Sequence, residues 1–165
     1  MAATSFAAIW FLPFVLPICF YVAFTDLAHM KITNKAVLVL GAVFVVLGPF
    51  VLPSLEDYAW RLAQIGIVLV AGIVLNALGA MGAGDAKFMA AAAPFIAASD
   101  WRILMMIFVV VLMAAFAAHR IARATPLRQI APHWESWNAG KRFPMGLALG
   151  PTLALYLCLA ALNGA

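Results

Sequence analysis

The sequence predicts an all-α polytopic membrane protein with six transmembrane helices, the fourth of them short. The first observation is composition: 67% of the 165 residues are hydrophobic, 10% are charged and the mean hydropathy is +1.08. A soluble domain is about 45–50% apolar and about 25% charged, so the excess apolar surface must face lipid. The second observation is a series of long uncharged runs. This composition excludes a secreted domain, a cytosolic enzyme and a nucleic-acid-binding module.

Each uncharged run predicts one span, taken in chain order. A spanning helix needs about 20 mostly apolar residues, with about 17 at the lower end. The runs have 16 to 23 residues and cover 6–24, 36–52, 62–84, 103–118 and 143–165. They predict spans one, two, three, five and six. The segment 88–99 has only 12 residues and contains Pro94, so its length alone is equally compatible with a short span and with a buried or re-entrant helix.

The distribution of basic residues favours counting 88–99 as the fourth span. With six spans, the connections fall near 25–35, 53–61, 79–87, 99–102 and 119–142. Eight Lys and Arg residues then lie on one side and two on the other, and basic residues are retained on the cytoplasmic side. A five-span arrangement that fuses 88–118 gives at best six against three and leaves Asp100 and Arg102 within the bilayer. We therefore predict that both termini lie outside and that 1–165 forms one membrane domain.

Two aspartates lie at span ends on the same side of the predicted bundle. Asp26 follows the first span and Asp85 opens the fourth, with Gly82 and Gly84 just before it. In the six-span topology that side is cytoplasmic, and two carboxylates at one depth can share a proton and activate a water. Taken singly, Asp26 is more typical of a solvated interfacial charge and Asp85 of a helix N-cap. The glycines are also compatible with a tight turn or close helix packing.

Two motifs around these aspartates resemble those of a known family. The Gly-Ala-Gly-Asp sequence at 82–85 is a G-x-G-D motif at the start of a membrane helix. It is similar to the second catalytic motif of the type IV prepilin peptidases, which are intramembrane aspartic proteases. Asp26, with Ile32 and Asn34 after it, is similar to their first motif, although Thr33 stands where the family usually has proline.

A third motif extends the resemblance over essentially the whole chain. The segment 141–151 contains Lys141, Pro144 and Gly146 and resembles the lysine–proline–glycine start of the family's last span. Order, spacing and length match the short TadV/CpaA-like branch, which processes Flp-type pilins. Bifunctional members carry an insertion with cysteine pairs, where they N-methylate the processed pilin, and this chain has neither. The resemblance therefore implies a peptidase without N-methyltransferase activity.

The resemblance implies cleavage of prepilin leader peptides at the cytoplasmic face of the bacterial inner membrane. The implied substrate is a type IVb or Flp-type prepilin, recognised through its leader and adjacent hydrophobic helix. Asp26 and Asp85 would be the catalytic pair. Because a helix N-terminus favours an anion and a C-terminus disfavours one, we expect Asp85 to act as the base and Asp26 as the acid.

The other motif residues have predicted supporting roles. Gly82 and Gly84 would let the backbone approach an extended substrate segment. Lys87 would act on Asp85 or bind a substrate carboxylate, or it would only snorkel to lipid headgroups. The motif positions Asn34, Pro144 and Gly146 are expected to support the site, the last two by shaping the start of span six.

The remaining features predict lipid contact and provide no metal site. The basic segment 119–142 carries Trp134 and Trp137, which indicates contact with anionic lipids of the inner leaflet, with substrate gating as the alternative. The two cysteines form no C-x-x-C pair and the histidines have no ligand spacing, so we expect no metal and no cofactor. Two other function classes compete: a non-catalytic assembly factor of a pilus or secretion system, and a small transporter. A transporter usually places its acids near the membrane midplane, whereas these lie at span ends.

Overall fold

The protein is a bundle of α-helices. The computed structural model describes residues 1–140 and 142–164, and within those residues it contains six α-helices and no β-strand. The helices are α1 Ser5–His29, α2 Asn34–Val51, α3 Leu55–Ala77, α4 Ala83–Ala92, α5 Trp101–Ala124 and α6 Gly146–Asn163. All except α4 are long and apolar enough to cross a membrane. The all-α class, the six helices and the short fourth helix are therefore confirmed.

The fourth helix begins and ends earlier than the predicted span 88–99. It begins after Gly82, whose extended backbone forms the N-cap, and it ends at Ala92. The chain then continues through two short 3₁₀ turns, 93–95 and 98–100. Pro94 lies in the first of these turns, and proline cannot donate the backbone hydrogen bond that a continuing helix needs. The fused helix of the five-span arrangement is not observed.

Polar side chains of α3 hold the irregular segment that follows α4. Backbone groups without partners are expensive at membrane depth, so such a segment must be paired within the protein. The Arg61 guanidinium is buried, donates to the carbonyl oxygen of Pro94 at 3.3 Å and pairs with Asp57 at 3.0 Å. With its amide oriented to satisfy its neighbours, Gln64 donates to the carbonyl oxygen of Ala93 at 2.9 Å. The charge count placed Arg61 in a connection, but the structure places it on α3, because Ser54 caps a helix that begins at Leu55.

A second polar group holds the far end of the same segment. The Tyr156 hydroxyl of α6 accepts the N–H of Ala97 at 3.1 Å and donates to the Asp100 carboxylate at 3.0 Å. Asp100 also accepts the N–H groups of Ala2 and Ala3, at 2.9 and 3.1 Å. This buried carboxylate therefore joins the start of the chain, the α4–α5 connection and α6.

Replacing Tyr156 with phenylalanine is expected to lower the free energy of unfolding by about 1–3 kcal/mol. The change leaves the buried Ala97 N–H without its acceptor and removes one donor from Asp100. Thermal unfolding in detergent measures the effect, with Tyr21→Phe as the matched control because Tyr21 is 48% exposed on α1. Equal unfolding temperatures for the two variants would contradict this account of the segment.

The core lies among α1, α2, α4 and α6. Phe11, Phe44 and Phe95 pack there with ring centroids 4.9 to 5.8 Å apart, and all three are fully buried. α1 and α6 approach each other closely, since a Cβ added at Gly150 would lie 2.6 Å from the carbonyl oxygen of Cys19. By contrast, α3 and α5 each bury only two residues, so they form the periphery of the bundle.

Candidate active site

Asp26 lies near the C-terminal end of α1 and faces the first residue of α6. It is only 5% exposed, and its Oδ2 accepts the N–H of Gly146 at 2.6 Å. A Cβ added at Gly146 would lie 2.8 Å from the Cβ of Asp26 and 3.0 Å from its Oδ2. Glycine at the start of α6 therefore permits the close approach that places a backbone donor on this carboxylate.

Asp85 lies in the first turn of α4 and is half-buried. The glycines of its motif leave room on two sides. A Cβ at Gly82 would lie 2.7 Å from the Oδ2 of Asp85, and a Cβ at Gly84 would lie 3.4 Å from the Cβ of Ile32. Gly82 thus lets the carboxylate fold back over the N-cap, whereas a Cβ at Gly84 would only meet Ile32 in ordinary van der Waals contact.

The structure brings the two aspartates to the same end of the bundle. The carboxylates of Asp26 and Asp85 are near enough to each other for their negative charges to repel. Three helices supply this region, since α1 carries Asp26, α4 carries Asp85 and α6 begins with the Gly146 donor. A pair of neighbouring carboxylates can divide the roles of general acid and general base.

Lys87 of α4, two residues after Asp85, contacts Asn34 at the start of α2. Its Nζ donates to the Oδ1 of Asn34, the first residue of α2, at 3.2 Å, and both side chains are exposed. Among the described residues the ion pair within 4.0 Å is Arg61–Asp57, so Lys87 forms no ion pair with Asp85. This geometry ties α4 to α2 and favours a supporting role for the two residues.

Comparison with known families now decides the class of protein. The sequence model of the type IV leader peptidase family matches residues 13–118. The chain belongs to that family. No curated protein and no solved structure matches it. Membership makes this multi-pass membrane protein a protease that acts on prepilin leader peptides. The matched residues include both aspartates and the G-x-G-D motif, whereas α6 lies beyond them.

The third motif of this leader peptidase shapes the start of α6. Pro144 is fully buried, and its carbonyl oxygen accepts the N–H of Leu147 at 3.1 Å. Gly146 follows and contacts Asp26 directly. Lys141, the first residue of the motif, lies outside the described residues. Sequence reasoning assigned Gly146 only a shaping role, and the direct hydrogen bond to Asp26 was missed because 120 residues separate the two.

The tryptophans of the basic segment pack against α1 and α5, and Trp137 is buried. The buried Trp137 ring stacks on His119 with centroids 5.1 Å apart and on Trp134 at 5.6 Å. Trp134 in turn meets Phe24, two residues before Asp26, at 5.8 Å. The segment therefore reaches back from α5 to the C-terminal end of α1. Contact with anionic lipids stays a prediction for its exposed basic side chains, such as Arg128.

No metal centre is found in the described part of the leader peptidase. Within those residues, no group of three or more His, Cys, Asp or Glu side chains lies close enough to hold an ion. Cys19 and Cys158 are free thiols on α1 and α6.

Proposed function

We propose that this leader peptidase is an aspartic-type endopeptidase for type IVb, Flp-type prepilins, acting as one membrane domain in the bacterial inner membrane. The observation that carries the proposal is the convergence of Asp26 and Asp85, with a G-x-G-D turn at one aspartate and a backbone donor on the other. Cleavage takes place at the cytoplasmic face. The product keeps an unmethylated amine, since the chain has no insertion with cysteine pairs.

The two carboxyl groups divide the proton transfers between them. Asp85, at a helix N-terminus, takes a proton from water as the oxygen attacks the scissile carbonyl carbon. Asp26, carrying a proton, gives it to the carbonyl oxygen, and a gem-diol forms. The C–N bond then breaks as Asp85 returns its proton to the leaving nitrogen and Asp26 recovers one from a diol hydroxyl. One water is consumed, and both carboxyl groups regain their starting states.

The surrounding residues hold this pair in position. The Gly146 N–H orients the Asp26 carboxyl, and Gly82 leaves room for the Asp85 carboxylate to lie over the start of α4. Lys87 and Asn34 fix the start of α4 against α2.

Co-expression with a prepilin tests the proposed function. The protein is expressed with an Flp-type prepilin and, separately, with a type IVa prepilin, and leader removal is detected as a gel shift. Intact mass of the product gives the cleavage site and shows whether the new amine is methylated. We expect unmethylated mature Flp-type pilin. An Flp-type prepilin that stays intact beside abundant membrane-inserted protein would instead indicate the non-catalytic assembly factor.

Cysteine accessibility tests the predicted orientation, in which both termini lie outside. Single cysteines replace the exposed residues His29, Glu56 and Ile130 in a chain carrying Cys19→Ala and Cys158→Ala. In intact spheroplasts an impermeant maleimide should label position 56 alone, and permeabilisation should add positions 29 and 130. The expectation rests on retention of basic residues in the cytoplasm. Labelling of position 29 before permeabilisation would show that the topology is the opposite of the predicted one.

A further inference from the structure

A cleft runs along α4 and ends at the candidate active site. It encloses about 300 Å³ and is lined by residues of α3, α4, α5 and α6. Val68 of α3 and Met105 of α5 form its two walls, while Met89 and Leu153 line the floor. In the described part of the chain, α3 packs on α4 and α5 packs on α6, without an extensive contact between α3 and α5. The cleft therefore opens sideways, between the two peripheral helices.

The lining is apolar apart from two side chains. Its polar side chains are Asp85 and Thr152, and the Thr152 hydroxyl already donates to the carbonyl oxygen of Ala148 at 2.7 Å. Asp85 is thus the polar side chain of the lining that remains available to act on a bound substrate. Four of the eight methionines of the chain line the cleft: Met81, Met89, Met105 and Met145. Methionine is flexible and polarisable, so it adapts to apolar partners of different shape.

We propose that the cleft receives the apolar helix of the prepilin, the part that directly follows the scissile bond. This inference rests on the proposed function and names where its substrate docks. The helix enters from the bilayer between α3 and α5, and its side chains seat along α4 in a helix-in-groove arrangement. The lining from Asp85 to Ile96 extends for about 15 Å, or about ten residues of a substrate helix.

Continuity with the candidate site favours this occupant over lipid. Since the cleft ends at Asp85, a helix lying in it brings its N-terminal end, which directly follows the scissile bond, next to the carboxylates. The apolar walls offer no partner to a charged side chain of a bound segment. The cleft therefore suits a substrate segment without charges. Lipid chains or a second copy of the protein are the occupants that the experiment must distinguish.

Tryptophan substitutions on the two walls test the docking. Val68→Trp and Met105→Trp fill the cleft, whereas Val70→Trp and Met106→Trp place the same side chain on exposed positions of the same helices. Each variant is assayed on full-length prepilin and on a peptide with the same leader and scissile bond but a truncated apolar helix. We expect the wall variants to lose about ten-fold or more in kcat/KM on the full-length substrate. The truncated peptide and both control variants should show little change.

The pattern of losses decides the inference. Equal losses on both substrates would show that tryptophan distorts the catalytic centre, and unchanged cleavage of the full-length prepilin would show that the helix docks elsewhere. Either result overturns the proposal, as does an equal loss in the exposed controls.

Crosslinking separates this inference from the proposed function, because it needs no cleavage. A photoreactive benzoylphenylalanine is placed at position 105 or 106 of the protein carrying Asp26→Asn. We expect an adduct with the apolar helix of the prepilin from position 105 and not from 106. Adducts with lipid or a second copy alone would overturn the docking. If the unsubstituted protein cleaves neither substrate, the proposed function fails while the crosslink still tests the cleft.

Discussion

Replacing either Asp26 or Asp85 with asparagine is expected to abolish detectable leader cleavage. Each substitution keeps the size of the side chain and an oxygen that accepts hydrogen bonds, including the one from Gly146 to position 26. It removes the group that exchanges a proton, and general acid or base catalysis contributes about 10²–10⁴-fold to the rate. Because both groups act in the same steps, the double variant should be no slower than the slower single variant.

The measurement is the rate of prepilin processing in membranes that contain equal amounts of each variant. Glu135→Gln is the matched control, since Glu135 is an exposed acid on the segment between α5 and α6. The Glu135→Gln variant should process prepilin at the rate of the unsubstituted protein. In detergent, all variants should elute with the same profile as this control. Processing at near-normal rate by either asparagine variant would exclude the two-aspartate mechanism.

The all-helical class followed from the sequence because long uncharged runs indicate helices that cross the membrane. The path of the chain after the fourth helix did not, since it depends on partners far along the chain as well as on Pro94. Arg61 and Tyr156 satisfy backbone groups between Pro94 and Ala97, and nothing near those residues in sequence announces the pairing. Asp100 illustrates the same point: its expensive charge is stabilised by the N–H groups at the start of the chain.

For the candidate site, the sequence predicted the placement of Asp26 and Asp85 at the same end of the bundle. An even number of spans between Asp26 and Asp85 places them on the same side of any such bundle, and the structure brings them within Coulombic range. The interactions around them were not predictable, because they depend on which helices become neighbours. The packing of α6 against α1 puts Gly146 on Asp26. Likewise Trp137, expected at the lipid interface, is buried because His119 and Trp134 stack on its ring.

Replacing Gly146 with alanine is expected to reduce cleavage by about 100-fold. The added methyl would lie 2.8 Å from the Cβ of Asp26, an atom fixed by the α1 backbone that cannot rotate away. α6 must therefore shift away from α1, which breaks the 2.6 Å hydrogen bond from the Gly146 N–H to Asp26. A displacement of about 1 Å at a catalytic group can reduce the rate by about 10².

Two other glycines provide the comparison. Gly66→Ala, on α3, meets no atom within 4 Å and should process prepilin normally, with a helix stabilised by up to about 1 kcal/mol. Gly82→Ala places its methyl 2.7 Å from the Asp85 Oδ2, the rotatable tip of that side chain, so its loss of cleavage should be smaller than that of Gly146→Ala.

Crosslinking to prepilin from position 105 should persist in all three variants, because substrate docking does not depend on the Asp26 contact. Processing by Gly146→Ala at the rate of Gly66→Ala would show that the approach of α6 to Asp26 is unnecessary. Loss of crosslinking together with cleavage would show instead that the bundle itself has rearranged.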